Sequence, residues 1–344
     1  MLNRRTFVKS VAAGTAVLGG SGLGLTKGLA AGAEALVLNV PGNTLGVHVP
    51  YMAAINEVLP EQEQPAGIWH RVPKLQTITQ SILAGAVDIG AGDAISTLRA
   101  VEAGADLKII GNAFVHTSLV FVVNADKVQE PKDLEKSDVM IAVNSKGDFT
   151  HVMVVGPMTQ AGVDMDNVSV IKMGGSGNRM RALMAGKVDG VPLHFDQAAE
   201  LAATGNFKVL IEPAKFYDTF LGEVWITSGE WLKNADNRNR AKELLKATIT
   251  AFRRTNRSPE WYAEMYRKYG TKDSMKTASA EEIEVVRQAL GVDIGCWPDN
   301  GGHSKAVYEK LLPVYKSAGA INGSVDLDAV VDTSLVEEVL AEMN

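Results

Sequence analysis

Apolar positions along the chain follow two alternating patterns: short aliphatic or β-branched runs, and longer segments whose apolar residues recur at helical spacing. ALVLNV at 35–40 predicts a first strand, and the PGNTLG loop after it leads into a helix through Tyr51 to Val58. GIWHRV predicts a second strand, residues 73–84 a helix, VDIGAG a third strand and residues 94–103 a helix, with LKIIGNAF and SLVFVVN following as strands. Strands separated by helices of about ten residues need crossover connections, so the pattern predicts a largely parallel sheet covered on both faces. Beyond Trp231, AKELLKATITAFRRT and PEWYAEMYRKYG are amphipathic helices. Trp261, Tyr262, Tyr266 and Tyr269 are expected to pack on their buried face rather than to hold a ligand.

The pattern repeats within the chain. LAGAVDIG at 83–90 and MAGKVDGV at 184–191 align at an offset of 101 residues, pairing Gly85 with Gly186, Val87 with Val188 and Asp88 with Asp189. The same offset pairs Gly104 with Gly205, each followed by a short strand, LKII in one copy and FKVLI in the other. Each unit runs helix, tight turn, strand, helix, glycine-capped end, strand. The glycines suit backbone of positive φ at a helix end, and the aspartate suits the turn into the strand. Two copies are too few for a solenoid and predict two similar lobes.

The first residues are of another kind. NRRTFVK, with Arg4, Arg5 and Lys9, precedes a glycine-interrupted apolar stretch and the small residues Ala31–Ala33. This arrangement looks like a twin-arginine export signal spanning residues 1–33, too broken by glycine for a transmembrane helix. Its removal takes away Arg4, Arg5, Lys9 and Lys27 and no acid, moving the formal charge from −6 to −10. An acidic exported chain without a basic stripe is expected not to bind nucleic acid. With 46% hydrophobic residues and a single cysteine, Cys296, the composition is that of a soluble globular protein without a disulfide framework. The expected product is a soluble periplasmic protein.

LAGAVDIGAGDAISTLRAVEAGADLKII, PKDLEKSDVMIAVNSKGDFTHVMV, QAGVDMDNVSVIKMGG, ALMAGKVDGV and ITSGEWLKN, in this order, resemble the solute-binding proteins of ABC importers for nitrate, sulfonate, taurine and thiamine-precursor pyrimidines. VDLDAVVDTSLVEEVL resembles the closing helix of the same family. The resemblance implies an α/β type II periplasmic binding fold: two lobes, each a mostly parallel sheet flanked by helices, closing on a small molecule, with a helical C-terminal tail wrapping the first lobe. It implies a first lobe of 34–114 and 225–344, a second of 119–213, and hinge crossings at 115–118 and 214–224. It also implies a monomer that captures a small polar or aromatic organic solute and delivers it to a membrane permease and its ATPase, with neither enzymatic activity nor a cofactor. An enzyme of the pyrimidine-precursor type and a periplasmic sensor are the alternatives on this fold.

Physical reasoning selects the loops of the cleft independently. In an open parallel sheet, ligands lie beyond the carboxyl ends of the strands, where helix N-termini present unpaired N–H groups. The loops so placed hold Asn43 and Thr44, Arg71, Asp93 and Ala94 in the first lobe. In the second they hold Ser145, Phe149 and Thr150, then Gly175 and Ser176, then His194 and Phe195. His116 at the hinge and His194 at the rim are candidate hydrogen-bonding groups, Glu223 is a candidate acid, and His48 and His151 read equally as helix residues. Phe149, Phe195 and Trp225 are either stacking walls or core, and Asp148 reads as a helix cap.

SKGDFT lacks the spacing of a phosphate-binding P-loop, and GGSGN is not a full dinucleotide fingerprint. No H-x-x-x-H or H-E-x-x-H pair supports a metal site, and no G-x-S-x-G elbow supports a serine nucleophile. The mixture of Asp93, Asp196, Glu223, Arg71 and Lys146 around the expected cleft suits a polar or zwitterionic ligand better than a multiply charged anion.

Overall fold

The computed structural model describes residues 34–344 apart from Asp218. The expected export signal, residues 1–33, lies outside the described residues. The strands are β1 (Val37–Pro41), β2 (Ile68–Val72), β3 (Ile89–Asp93), β4 (Leu107–His116), β5 (Leu119–Asn124), β6 (Met140–Val143), β7 (Ser169–Lys172), β8 (Gly190–His194), β9 (Phe207–Ile211) and β10 (Leu221–Ser228). They form two five-stranded sheets, ordered β2-β1-β3-β10-β4 and β7-β6-β8-β5-β9.

Both sheets share one plan. β1 is parallel to β2 and β3, and β6 to β7 and β8. The strand next to the edge runs antiparallel to both neighbours: β10 against β3 and β4, β5 against β8 and β9. The sheets are thus mostly parallel but mixed, the reversed strand entering each where the chain passes from one sheet to the other. Those passages are Thr117–Ser118 and the stretch after Ile211 up to Phe220. Leu221, Gly222, Glu223 and Val224, expected in a hinge crossing, are instead strand β10 of the first sheet, where Glu223 stands opposite Asp93 in register.

The repeat has a structural meaning. The amide of Asp88 donates to Val37 O at 2.8 Å, and its carboxylate accepts from Val37 N at 2.8 Å. Asp189 does the same for Met140, donating to its carbonyl at 2.6 Å and accepting from its amide at 2.9 Å. Each aspartate therefore clamps the start of the neighbouring strand, β1 or β6. The turn before it needs a left-handed residue, and Gly85 and Gly186 both have φ of 64°.

The helices that frame the site are α1 (Val49–Ala53), α2 (Leu75–Leu83), α3 (Ala94–Glu102), α4 (Phe149–Gln160), α5 (Ser176–Met184) and α6 (Phe195–Ala202). The expected helix through Val58 continues from α1 as a wider π-turn over Ala54–Val58. In the tail lie α7 (Ala235–Arg257), α8 (Pro259–Tyr269), α9 (Lys305–Ser317) and α10 (Ser334–Met343). Side-chain caps start several of them: Asp93 on α3, Asp148 on α4, Asn234 on α7, and Ser258 on α8, where Pro259 occupies the first turn that needs no N–H.

Tyr262 and Tyr266 are buried in one core cluster with Tyr51, Phe252, Trp225 and Trp297, and Trp261 and Tyr269 pack against it. The tail does not wrap the first lobe alone. Tyr308, Leu311 and Tyr315 of α9 share a core cluster with Val152 and Met153 of α4, and α9 packs on α4 in the second lobe. Gly156 of α4 leaves room for Tyr217, whose hydroxyl would stand 2.2 Å from a β-carbon there.

Candidate functional site

A cavity of about 420 Å³ lies between the two sheets, lined from both. From the first come Pro41, Gly42, Asn43, His48, Val72, Pro73, Leu75, Phe114, Gly222 and Glu223. The second contributes Leu119, Asn144, Phe149, Thr150, residues 175–179, Arg181 and His194, and the Thr117–Ser118 passage closes one end. At the opposite rim the lobes meet: a β-carbon on Gly175 would stand 4.0 Å from Pro73 O, and one on Gly177 would stand 3.9 Å from Asn43 Nδ2. The cleft is therefore in a closed arrangement.

The inner end is built around His48. Its Nδ1 accepts from Leu45 N at 3.0 Å, which places the hydrogen of the neutral ring on Nε2. That nitrogen faces Glu223 Oε1 at 3.5 Å. Burial holds the Glu223 carboxyl above its ordinary pKa, with His48 opposing the shift. The His48 ring meets Phe114 edge-on at 5.6 Å and crosses the cleft to His194 at 5.2 Å. His194 Nδ1 lies 2.7 Å from Ser118 Oγ. Burial, aided by His48 and Arg179, holds His194 well below the ordinary imidazole pKa, so the ring is neutral at pH 7.

The second-lobe wall is held by backbone bonds. Asp148 Oδ1 accepts from the Thr150 hydroxyl at 2.7 Å and from His151 N at 3.1 Å, while Thr150 Oγ1 accepts from Asn144 N at 2.8 Å. Thr150 thus lines the cavity with its hydroxyl already donating to its own cap. Burial, reinforced by Asp93, raises the Asp148 carboxyl to about 6. Arg179 is buried and donates through Nε and Nη2 to Pro192 O, at 3.0 and 2.9 Å, and through Nη1 to Gly174 O. Burial lowers it to about 10, which leaves it charged at neutral pH. It fixes the loop carrying Gly175 and Ser176 to the end of β8.

Of the residues expected from sequence, Asn43, Phe149, Thr150, Gly175, Ser176, His194 and Glu223 line this cavity. The others lie elsewhere. Arg71 stacks 4.9 Å over Trp69 and donates to Thr44 Oγ1 at 2.8 Å, and Thr44 is tied to Thr271 of the tail. Asp93 is buried as the cap of α3, accepting from Ser96 N at 2.7 Å, and Ala94 is buried behind it. His116 accepts from Phe220 N at 3.4 Å between the two passages. Ser145 is buried beside the cavity, its hydroxyl without a partner among the described residues. Trp225 belongs to the first core cluster, edge-on to Tyr51 at 5.6 Å, and Phe195, partly buried, packs against that cluster.

Sequence reasoning had placed His48 beside the cleft without choosing it, and it passed over Phe114, Ser118, Asn144, Arg179 and Gly222. Phe114 and Gly222 sit within strands, where the loop rule does not look. Arg179 is the fourth residue of α5, past the strand-to-helix loop that the rule selects. The usable signal was the neighbourhood of His48 to the first loop.

Several polar atoms at and around the cavity are buried with no hydrogen-bond partner among the described residues: His48 Nε2, Asn144 Oδ1, Ser145 Oγ, Asp148 Oδ2, Asp93 Oδ2 and Glu223 Oε2. Native interiors hold few such groups, and their concentration at one cavity marks a place for a polar molecule.

A model of the family described as NMT1/THI5 like matches residues 72–261. Among curated proteins, none matches the sequence significantly. Among solved structures, the periplasmic nitrate-binding protein NrtA from Synechocystis PCC 6803 is similar with a TM-score of 0.73 at 14% identity, over 91% of this chain and 89% of its own. The alkanesulfonate-binding protein SsuA from Xanthomonas axonopodis pv. citri, bound to MOPS, gives 0.65 at 14% identity, over 88% and 100%. DszB in complex with biphenyl-2-sulfinic acid gives 0.60 at 12% identity, over 90% and 99%. At these identities the likeness is one of fold.

Proposed function

The chain belongs to the NMT1/THI5-like family, and from that premise we propose that it is the periplasmic substrate-binding component of an ABC importer. It holds a small polar or aromatic organic solute between its lobes and presents the closed, loaded form to a membrane permease and ATPase. In this reading residues 1–33 direct export by the twin-arginine route, and the lobes turn about the passages near Ser118 and Phe220. Among the described residues no helix is long and apolar enough to cross a membrane.

The observation that carries the proposal is the closed cavity of about 420 Å³ with buried, unpartnered polar atoms contributed by both lobes. A ligand bridging the two would stabilise closure, because it is bound by groups that come together only in that form. The test is a thermal-shift screen against sulfonates, nitrate, pyrimidines, amino acids and aromatic acids, followed by recovery of the hit. A ligand at about 100 times its Kd should stabilise the protein by about 2.7 kcal/mol. A hit recovered unchanged supports the binding protein, a hit consumed supports the enzyme, and no stabilisation by any class counts against a solute in this cleft.

A further inference from the structure

The two ends of the cavity differ in what they lack. At the inner end Glu223 is 7% exposed; its Oε2 makes no hydrogen bond of good geometry among the described residues, and the Tyr51 hydroxyl is the donor that faces the carboxyl group beside His48. His48 is held by Leu45, and its Nε2 faces the other carboxyl oxygen at 3.5 Å. A buried carboxylate oxygen in this position calls for a donor. At the second-lobe wall α5, which has no side-chain cap, points its N-terminus into the cavity through Ser176 and Gly177, whereas the N-terminus of α4 at Phe149 and Thr150 is already capped by the Asp148 carboxyl group. First-turn amides have no intrahelical carbonyl and carry the positive end of the helix dipole, which favours an anion. Asn144, 6% exposed, presents an unpartnered carboxamide end to the same region, and a carboxamide can turn its NH₂ outward as readily as its oxygen. Arg181 adds a positive charge at the rim. Phe114, Phe149, Leu75 and Leu119 supply apolar lining to the same cavity.

Building on the binding reading above, we infer that the cavity selects an amphoteric solute: a hydrogen-bond-donating nitrogen or hydroxyl seated on Glu223, an anionic group at the N-terminus of α5, and an apolar body between them. Each lobe then recognises one end of the molecule, so a compound with only one end engages one lobe and leaves the other unpaired. Loss of either end should weaken binding more than its contribution to size would explain.

The test titrates the full-length chain calorimetrically with matched sets: para-aminobenzoate, benzoate and aniline; then gamma-aminobutyrate, butyrate and butylamine. In at least one set the two-ended compound should bind about tenfold tighter or more than either one-ended relative. Glu223→Gln should weaken the two-ended compound by about tenfold to a hundredfold and leave the anion-only compound unchanged or tighter. An anion-only compound that binds as tightly as its two-ended partner overturns this assignment while leaving the binding protein intact. So does a Glu223→Gln variant that weakens every compound equally. If neither set, nor nitrate, nor an alkanesulfonate binds, the binding reading itself falls and this one with it. The comparison within each set on the unmodified protein stands even where the variant fails to fold.

Discussion

Asp148→Asn isolates the electrostatic cost of the cap that forms the second-lobe wall. Oδ1 of the residue accepts from the Thr150 hydroxyl and the His151 amide, and an asparagine keeps that oxygen. What the substitution removes is the charge. Burial first, then the nearby Asp93, raises the Asp148 carboxyl from the ordinary 3.8 to about 6 in the folded protein, with Thr150, His151 and Arg179 opposing. The folded state therefore holds the proton more tightly than the unfolded chain. The stability this confers is complete below about pH 4 and is lost as the pH rises through about 6. A displacement of about two pH units at 1.36 kcal/mol each gives about 3 kcal/mol in all, of which about 2 kcal/mol falls between pH 4 and pH 8. Asparagine does not titrate, and any fixed cost of its new amide is the same at every pH. The stability of the variant relative to the parent should thus rise by about 2 kcal/mol from pH 4 to pH 8, measured by urea unfolding of both proteins across that range. A difference that stays flat, or that narrows toward alkaline pH, would refute the reasoning and show that α4 and Arg179 hold the carboxylate ionised without penalty.

Two further outcomes follow from close packing. A β-carbon on Gly222 would fall 2.0 to 2.3 Å from the Phe114 ring. Gly222→Ala should therefore displace that ring from His48 and weaken ligand affinity at least about tenfold by calorimetry, with a smaller loss of Tm than a core cavity produces; unchanged affinity would place Phe114 outside the recognition surface. Cys296 is buried, donates to His116 O at 3.3 Å, and has its thiol pushed far above the ordinary range by burial. It should resist a thiol reagent at pH 8 in the native protein and react within the dead time once urea is added, whereas fast labelling of the native form would mean that the region behind the hinge opens readily.

The fold was largely legible because its signals are local. The runs at ALVLNV, GIWHRV and VDIGAG become β1, β2 and β3, and the duplicated glycine and aspartate reappear as matched clamps on β1 and β6. β10 was legible only in part: residues 225–228 fall in the expected first lobe but 221–224 in the expected hinge crossing, and its partners, β3 and β4, lie more than 100 residues away in sequence. Within the cavity, the legible residues are those at helix N-termini after strands, among them Asn43, Thr150 and Ser176. Arg71, expected in the loop after the second strand, lies within β2 and outside the cavity, where Trp69 and Thr44 offer its guanidinium a stacked, hydrogen-bonded seat on the first lobe. His48 adjoins the first loop in sequence, but its place at the inner end rests on a tertiary fact, its approach to a glutamate on a strand formed 175 residues later.

The placement of β10 also sets a timetable for synthesis. β4 joins the first sheet only through β10, and β10 ends at Ser228. A chain leaving the ribosome, or threading out of a chaperone, has β1, β2 and β3 long before it has the strand that ties β4 to them. The second sheet is under no such delay, because β5 precedes every other strand it needs. The later-encoded sheet can thus be completed first while the earlier one waits for β10, so a chain truncated shortly before Leu221 should carry one complete sheet, the one made from its middle, with α9 still to be added to its core.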